Sequence, residues 1–334
     1  MIRTQNIDQI FCLTKNDFEN KALDFYRHQA VHSSLYQKFI ATLKMDTREI
    51  SSLCDIPFLP IRFFKSHEIT CSSVEKYDGD SKSIVFESSG TTGLVSSKHF
   101  VIDTLLYQKS AINSFESFYG RVEDTIFLAL LPSYLERGNS SLVYMLHYFM
   151  QRGGHPWSRF YLHNQQELST YLRDEKHSGQ KIILWGVSYA LLDFAETYPM
   201  KLQNTIVLET GGMKGRRKEM IREELQEQLM KAFEVSSIHA EYGMTELLSQ
   251  AYSKGNGIFV CPPWMNVLVR DINDPFQVTM SGKGLLNIID LANIHSCCFI
   301  ATDDIGEVYA DGSFRVTGRL DNSDLRGCSL MYEA

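Results

Sequence analysis

The 334-residue chain contains nothing near the roughly 20 consecutive apolar residues that a bilayer-spanning helix needs. Its densest apolar stretch, "TIFLALLP" around Leu128, is far shorter, so no membrane span is expected. The seven cysteines include no C-x-x-C pair, and their number is odd. That usage points to a reduced, cytoplasmic setting rather than a disulfide scaffold. The opening "MIRTQNIDQIFCLTKNDFEN" lacks the apolar core and small-residue cleavage site of a secretion signal. Positive charge is also scarce: 33 Lys and Arg stand against 40 Asp and Glu, for a net charge of −7. A general nucleic-acid binder needs a basic surface, so no nucleic-acid partner is expected, although a local basic pocket remains compatible with the balance. No internal repeat or low-complexity tract is visible.

What is present is an ordinary globular composition, 44% hydrophobic, on a chain long enough to bury a substantial core. Residues 1–75 read as mainly helical. "KNDFENKALDFYRHQAVHSSLYQKFIATL" carries Phe18, Leu23, Tyr26, Val31, Leu35 and Phe39 at near-helical spacing, and "DIPFLPIRFFKS" closes the region. Residues 76–252 then alternate. Apolar β-type runs at 83–86, 125–131, 181–185 and 205–208 are separated by helical stretches at 103–118, 140–151, 165–175, 188–198 and 218–233. Unbroken apolar strands between helices imply a buried, mostly parallel sheet covered on both faces. Residues 253–334 read as a smaller β-rich lobe, with a hairpin turn at Asp311–Gly312.

The stretch "SIVFESSGTTGLVSSKHF", from Ser83 to Phe100, follows a strand-like run with small and hydroxylated residues and then a lysine. Such residues pack almost nothing. In an α/β sheet, ligands bind beyond the carboxyl ends of strands, and this segment is expected at such an end. Gly90 and Gly93 let the backbone curl, while Ser88, Ser89, Thr91 and Thr92 add hydroxyls to a possible concavity of backbone N–H groups around an anion. It is not a P-loop, because G-x-x-x-x-G-K-[ST] is missing. An ordinary polar loop is the alternative.

Three later segments, "HAEYGMTE", "FIATDDIGEV" and "VTGRLDNSDLRGC", follow it in order. Together the four resemble the signature of the adenylate-forming superfamily: acyl-CoA ligases, peptide-synthetase adenylation domains and luciferases. The chain most resembles the LuxE-type acyl-protein synthetases, with phenylacetate-CoA ligases next. "LPSYLERGNSSLVYML", "WGVSYALLDFAE", "ETGGMKGRRKEMIREEL" and "GRLDNSDLRGCSLM" carry that likeness over nearly everything after Pro57. The resemblance implies an α/β large domain, parallel sheet layers flanked by helices, and a small C-terminal β-rich lobe. It implies ATP and Mg²⁺ as cofactors, a carboxylic (fatty) acid substrate, and transfer of the acyl group from an adenylate to a thiol. By the same resemblance, Ser88 to Gly93 wrap the β- and γ-phosphates with help from Lys98, and Thr245 contacts the α-phosphate. Glu246 holds Mg²⁺, a hard cation suited to carboxylate oxygens. Tyr242 stacks on adenine, Gly211 and Gly212 line the adenine and acyl pocket, Asp304 accepts hydrogen bonds from the ribose hydroxyls, and Arg319 braces ribose or phosphate. The residues alone permit plainer readings: Tyr242 as a core aromatic, Glu246 as a first-turn helix acid, Asp304 as a turn residue with Asp303 its rival, and Arg319 as a surface cation.

One departure concerns the end of the sequence. Members of the superfamily usually continue past the "GR-x-D" hinge into a mobile domain with a catalytic lysine, whereas this sequence stops thirteen residues after Asp321. The expectation is that the mobile C-terminal domain is missing and the CoA-ligase cycle altered. LuxE-type proteins are similarly short and load the acyl group onto a cysteine near the C-terminus before passing it to a partner reductase. Cys328 matches that placement, between Gly327 and the tail and beside Arg326, whose charge favours the thiolate. The segment from Arg319 to Cys328 can extend by roughly 30 Å. The final acceptor is therefore Cys328, a partner reductase or acyl carrier protein, or CoA.

The cluster "KGRRK", 214–218, reads as opening a helix, where cations are disfavoured unless an anion or an acidic carrier repays them. Cys261, His295, Cys297 and Cys298 are a weak zinc set because their spacing is irregular. A rival enzyme reading takes "GVSYA" as an approximate nucleophile elbow, with Ser188 as nucleophile and His239 as base of an esterase or acyltransferase; on the ligase reading Ser188 only caps a helix. A third reading is a non-catalytic acyl or nucleotide carrier.

Overall fold

A computed structural model of the chain describes residues 8–44, 49–71, 81–88, 96–132, 139–174, 179–211, 217 and 220–320. They form two compact units, one from the described residues of Met1–Glu75 and Pro263–Ala334, the other from those of Lys76–Pro262.

The first unit starts with helices α1 (Lys15–His32) and α2 (Ser34–Leu43), then strand β1 (Leu59–Pro60) and the single turn α3 (Phe63–Ser66). The one long helical stripe expected from the sequence is broken at Ser33, whose backbone is extended at φ −97° and ψ 109°. The break resets the helical phase. Val31, within α1 and on the face opposite Phe18 and Gln29, is 61% exposed; the buried face runs through Phe18, Phe25, Tyr26 and Gln29 on α1 and Tyr36 and Ile40 on α2.

The second unit opens with an antiparallel pair, β2 (Ile84–Glu87) and β3 (Lys98–Val101). There follow α4 (Thr104–Tyr119), β4 (Thr125–Leu130), α5 (Ser141–Gly153), β5 (Arg159–Phe160), α6 (Gln165–Arg173), β6 (Lys181–Val187), α7 (Ser188–Thr197), β7 (Thr205–Thr210), α8 (Arg222–Phe233), β8 (His239–Tyr242) and β9 (Ala251–Ser253). A six-stranded sheet has the order β5-β4-β6-β7-β8-β9, parallel throughout except for β9. Every residue of β4 is buried, as is Ile182–Val187 of β6, which is why these strands read as unbroken apolar runs. Trp185 packs against Phe115 of α4. The adjacent Gly186 points the other way, and any Cβ there would meet Leu191 of α7 within 2.8 Å, so helices cover both faces. Asp103 caps α4, its carboxylate accepting from Leu105 N and Leu106 N at 3.1 Å.

One expectation is corrected here. The strand before "SSGTTG" is not a member of the parallel sheet; β2 belongs to a separate two-stranded hairpin whose partner is β3. A strand of four residues with only Phe86 buried lacks the apolar faces a central strand requires.

The first unit resumes with β10 (Met265–Arg270), β11 (Val278–Thr279), β12 (Gly282–Asp290), a short 3₁₀ helix (Leu291–His295), β13 (Phe299–Val308) and β14 (Phe314–Arg319). The sheet order is β1-β13-β12-β10-β11 with β14 on β13. The β13–β14 turn falls at the expected dipeptide, where Gly312 takes φ +85°.

Candidate functional site

In the second unit, the hairpin neck and the carboxyl end of β8 are joined by a histidine. Ser88 N donates to Ser97 O at 3.0 Å, and Ser97 N donates to Ser88 Oγ at 2.8 Å, which closes the neck below the segment 89–95. Two residues on, His99 is 1% exposed. Burial, partly opposed by its bond to Thr245, lowers the imidazole to about 4. It is therefore neutral at ordinary pH, and because the carbonyl at 2.9 Å can only accept, its Nδ1 carries the proton donated to Thr245 O. That bond fixes the turn after β8. Tyr242 closes β8, half-buried, its ring 5.8 Å from that of Phe259. Glu246 is 5% exposed and lies in a turn closed by Leu247 N donating to Met244 O at 3.1 Å. No helix starts there, so the first-turn-acid reading of Glu246 does not hold.

Lys98 is exposed and pairs with its cross-strand neighbour Glu87 at 3.7 Å. Gly211, just past β7, takes φ +68°, a conformation that favours glycine. The Ser188 hydroxyl lies 3.2 Å from the Gly211 carbonyl and 3.1 Å from Glu209 Oε2, sharing one proton between two acceptors. Ser188 is the first residue of α7, with Val187 at the cap position and no capping bond from the serine. The expected capping role is thus replaced by an anchor to Glu209 and the Gly211 turn.

That geometry also removes the hydrolase triad. His239 aligns with Leu208 across β7–β8, whereas Ser188 bonds to Glu209, on the opposite face of the sheet. His239 Nδ1 instead meets Tyr119 Oη at 3.2 Å.

Two buried acids escaped the sequence reading. Glu209 is 1% exposed; burial raises its carboxyl, with Arg222 at 3.3 Å and Ser188 pulling the other way. Glu241 faces the other side of the sheet and accepts from Thr210 Oγ1 at 2.5 Å; burial, against that bond and with Glu209 adding to it, pushes its carboxyl up to about 7. Their signal in the sequence was an acid inside an apolar strand, "IVLET" and "HAEY". Nothing in local pattern told that such acids would be buried.

In the first unit, Asp304 and Arg319 are register partners on β13 and β14, with Arg319 Nε 3.7 Å from Asp304 Oδ1. Its neighbour Asp303 is taken by Arg62, at 3.3 and 3.4 Å. Each of the two acids left open by the sequence thus faces a cation of its own.

Ser89, Gly90, Thr91, Thr92, Gly93, Gly212 and Cys328 lie outside the described residues. Of the basic cluster only Arg217 is described. Its guanidinium bonds to Asp193 and Glu196 of α7, at 2.8 Å for the longest contact to each. Helix α8 begins at Arg222, so the expectation that "KGRRK" opens a helix is corrected. Cys297 and Cys298 are fully buried, and burial raises both thiols. Among the described residues no group of three or more His, Cys, Asp and Glu is placed to hold a metal ion.

No protein-family model matches the chain, and no curated protein does. Solved structures do. An ATP-bound structure of MatB from Rhodopseudomonas palustris matches with TM-score 0.53 at 14% identity, over 70% of this chain and 47% of that one. A long-chain-fatty-acid–CoA ligase, FadD1, from Archaeoglobus fulgidus matches with TM-score 0.51 at 17% identity, over 75% of this chain and 54% of that one. The chain spans about half the length of these neighbours. At such identities the likeness speaks for the fold alone: this is the α/β fold of the adenylate-forming acyl-CoA ligases.

Proposed function

We propose that the chain is an ATP- and Mg²⁺-dependent acid–thiol ligase of the LuxE type, which makes an acyl-adenylate from a carboxylic, chiefly fatty, acid and passes the acyl group to a thiol. The observation that carries this reading is the buried Glu246 in a turn pinned by His99 at the carboxyl end of β8, on a fold shared with ATP-bound MatB.

In the first step a carboxylate oxygen attacks the α-phosphate of ATP and pyrophosphate leaves. In the second a thiolate attacks the acyl carbon and AMP leaves, keeping the former carboxylate oxygen. The difficulty in the first step is crowded negative charge, which positioned cations and N–H groups relieve. Glu246 fits a magnesium ligand: a carboxylate is the hard oxygen donor that Mg²⁺ takes, and the rigid turn holds it in place. The ion, when bound, draws charge from the phosphate oxygens. Residues 88–93 and Lys98 serve the outer phosphates, Thr245 the α-phosphate, Tyr242 the adenine, and Gly211 and Gly212 the pocket wall. Asp304 receives the ribose hydroxyls, with Arg319 as brace. Cys328 is the proposed thiol, which hands the acyl group to a partner reductase or acyl carrier protein.

Carboxylate-dependent exchange of labelled pyrophosphate into ATP tests the first step across a panel of acids. Glu246→Gln is expected to cut exchange by about 100-fold; near-normal exchange contradicts the metal role. Cys328→Ser is expected to keep exchange but abolish hydroxylamine-labile acylation of the chain. ATP binding with no exchange from any acid favours a non-catalytic carrier instead.

A further inference from the structure

The register of β12 against β13 slips at one point. Leu285 pairs with Ile305 and Asn287 with Ala301, so the single residue Leu286 stands opposite three: Thr302, Asp303 and Asp304. Extra residues in one strand of an antiparallel pair bend it and re-aim its side chains. Within this bulge the two consecutive acids meet different cations, Asp303 with Arg62 and Asp304 with Arg319.

The bulge is held from both strands. Arg270, on β10 and 8% exposed, donates through Nη1 to Asn287 Oδ1 at 2.7 Å and Leu286 O at 3.3 Å, and through Nη2 to Thr302 O. The Thr302 hydroxyl donates to Leu286 O at 2.7 Å and accepts from the Asp304 amide at 3.1 Å. The planar fork of a guanidinium can bridge carbonyls on two strands at once; a lysine ammonium is a single point charge. Burial lowers the guanidinium to about 10, which still leaves it charged at neutral pH. A buried cation that spends its hydrogen bonds on carbonyls and an amide is costly to keep. A regular ladder between β12 and β13 would not require it.

We propose that Arg270, acting through Thr302, is a positioning residue for nucleotide binding: it sets the bulge that turns Asp303 to Arg62 and Asp304 to Arg319, so that Asp304 is the acid offered to the ribose hydroxyls. The inference rests on the ribose role given to Asp304 above.

Equilibrium binding of ATP and of 2′,3′-dideoxy-ATP is measured for the wild type, Asp304→Asn, Thr302→Val and Arg270→Lys. The wild type is expected to prefer ATP by about tenfold or more, the scale of a hydrogen bond to a charged acceptor. Asp304→Asn removes most of that preference. Thr302→Val and Arg270→Lys remove it as well, while affinity for the dideoxy nucleotide stays within about twofold because the hydroxyl bond alone is lost. A merely structural role would weaken both nucleotides equally and keep the ratio, and that result overturns the proposal. Should Arg270→Lys fail to fold, Thr302→Val decides. A wild type without preference overturns the ribose reading and the proposal with it. Preference lost in Asp304→Asn but kept in Thr302→Val overturns the positioning role alone.

Discussion

Glu241 sets the sharpest prediction at the scale of single residues. Its carboxyl lies at about 7 in the folded chain against an ordinary value of 4.5. The folded state therefore binds the proton more tightly than the unfolded one, so this group makes stability fall as pH rises from about 4.5 to about 7 and leaves the full penalty above it. The size is on the order of 3 kcal/mol. Urea unfolding between pH 5 and 8 should show this decline in the wild type, and Glu241→Gln should flatten it and be the more stable at pH 8. An equal slope in both proteins would show that the acid is solvated. The thiols divide along the same line of burial. Cys12 is exposed, whereas Cys71, Cys297 and Cys298 are buried, so a thiol reagent should modify Cys12 in the native protein and these three only after unfolding.

Among elements, α1 and the connection from β12 to β13 are joined by one glutamine. Gln29, wholly buried, donates from Nε2 towards the carbonyls of Asn293, Ile294 and Ser296 at 3.0–3.4 Å and accepts from Cys298 N at 2.9 Å. Gln29→Leu would strand buried backbone groups, and a loss of about 2–3 kcal/mol in urea unfolding is expected. A loss below about 0.5 kcal/mol would show that the carbonyls find other donors. This link was invisible in the sequence, because helical periodicity counts apolar residues and Gln29 reads as a surface position. The strands and helices of the parallel sheet were legible for the converse reason: burial on both faces leaves long apolar runs in β4 and β6 that few other arrangements produce. The hairpin β2–β3 was misplaced because "SIVF" has the composition of a central strand, although of β2 only Phe86 is buried.

For the molecule as a whole, the order of motifs along the chain carried more information than any motif's own residues. "HAEYGMTE" and "TDDIGE" marked the Glu246 turn and the Asp304 strand, both of which the fold presents at strand ends or irregularities. The supports of those positions were not legible. His99 reaches Thr245 across 146 residues and Arg270 reaches Thr302 across 32, distances over which no local pattern operates. The fold is shared with ligases that the chain spans only in part, and fold alone does not imply chemistry. The chemistry is decided by the fate of one atom. With an acid active in pyrophosphate exchange, supplied with ¹⁸O in its carboxylate, the released AMP should carry one ¹⁸O after acyl transfer to a thiol. Turnover of ATP with the label confined to inorganic phosphate, or with no label in AMP, would contradict an acyl-adenylate.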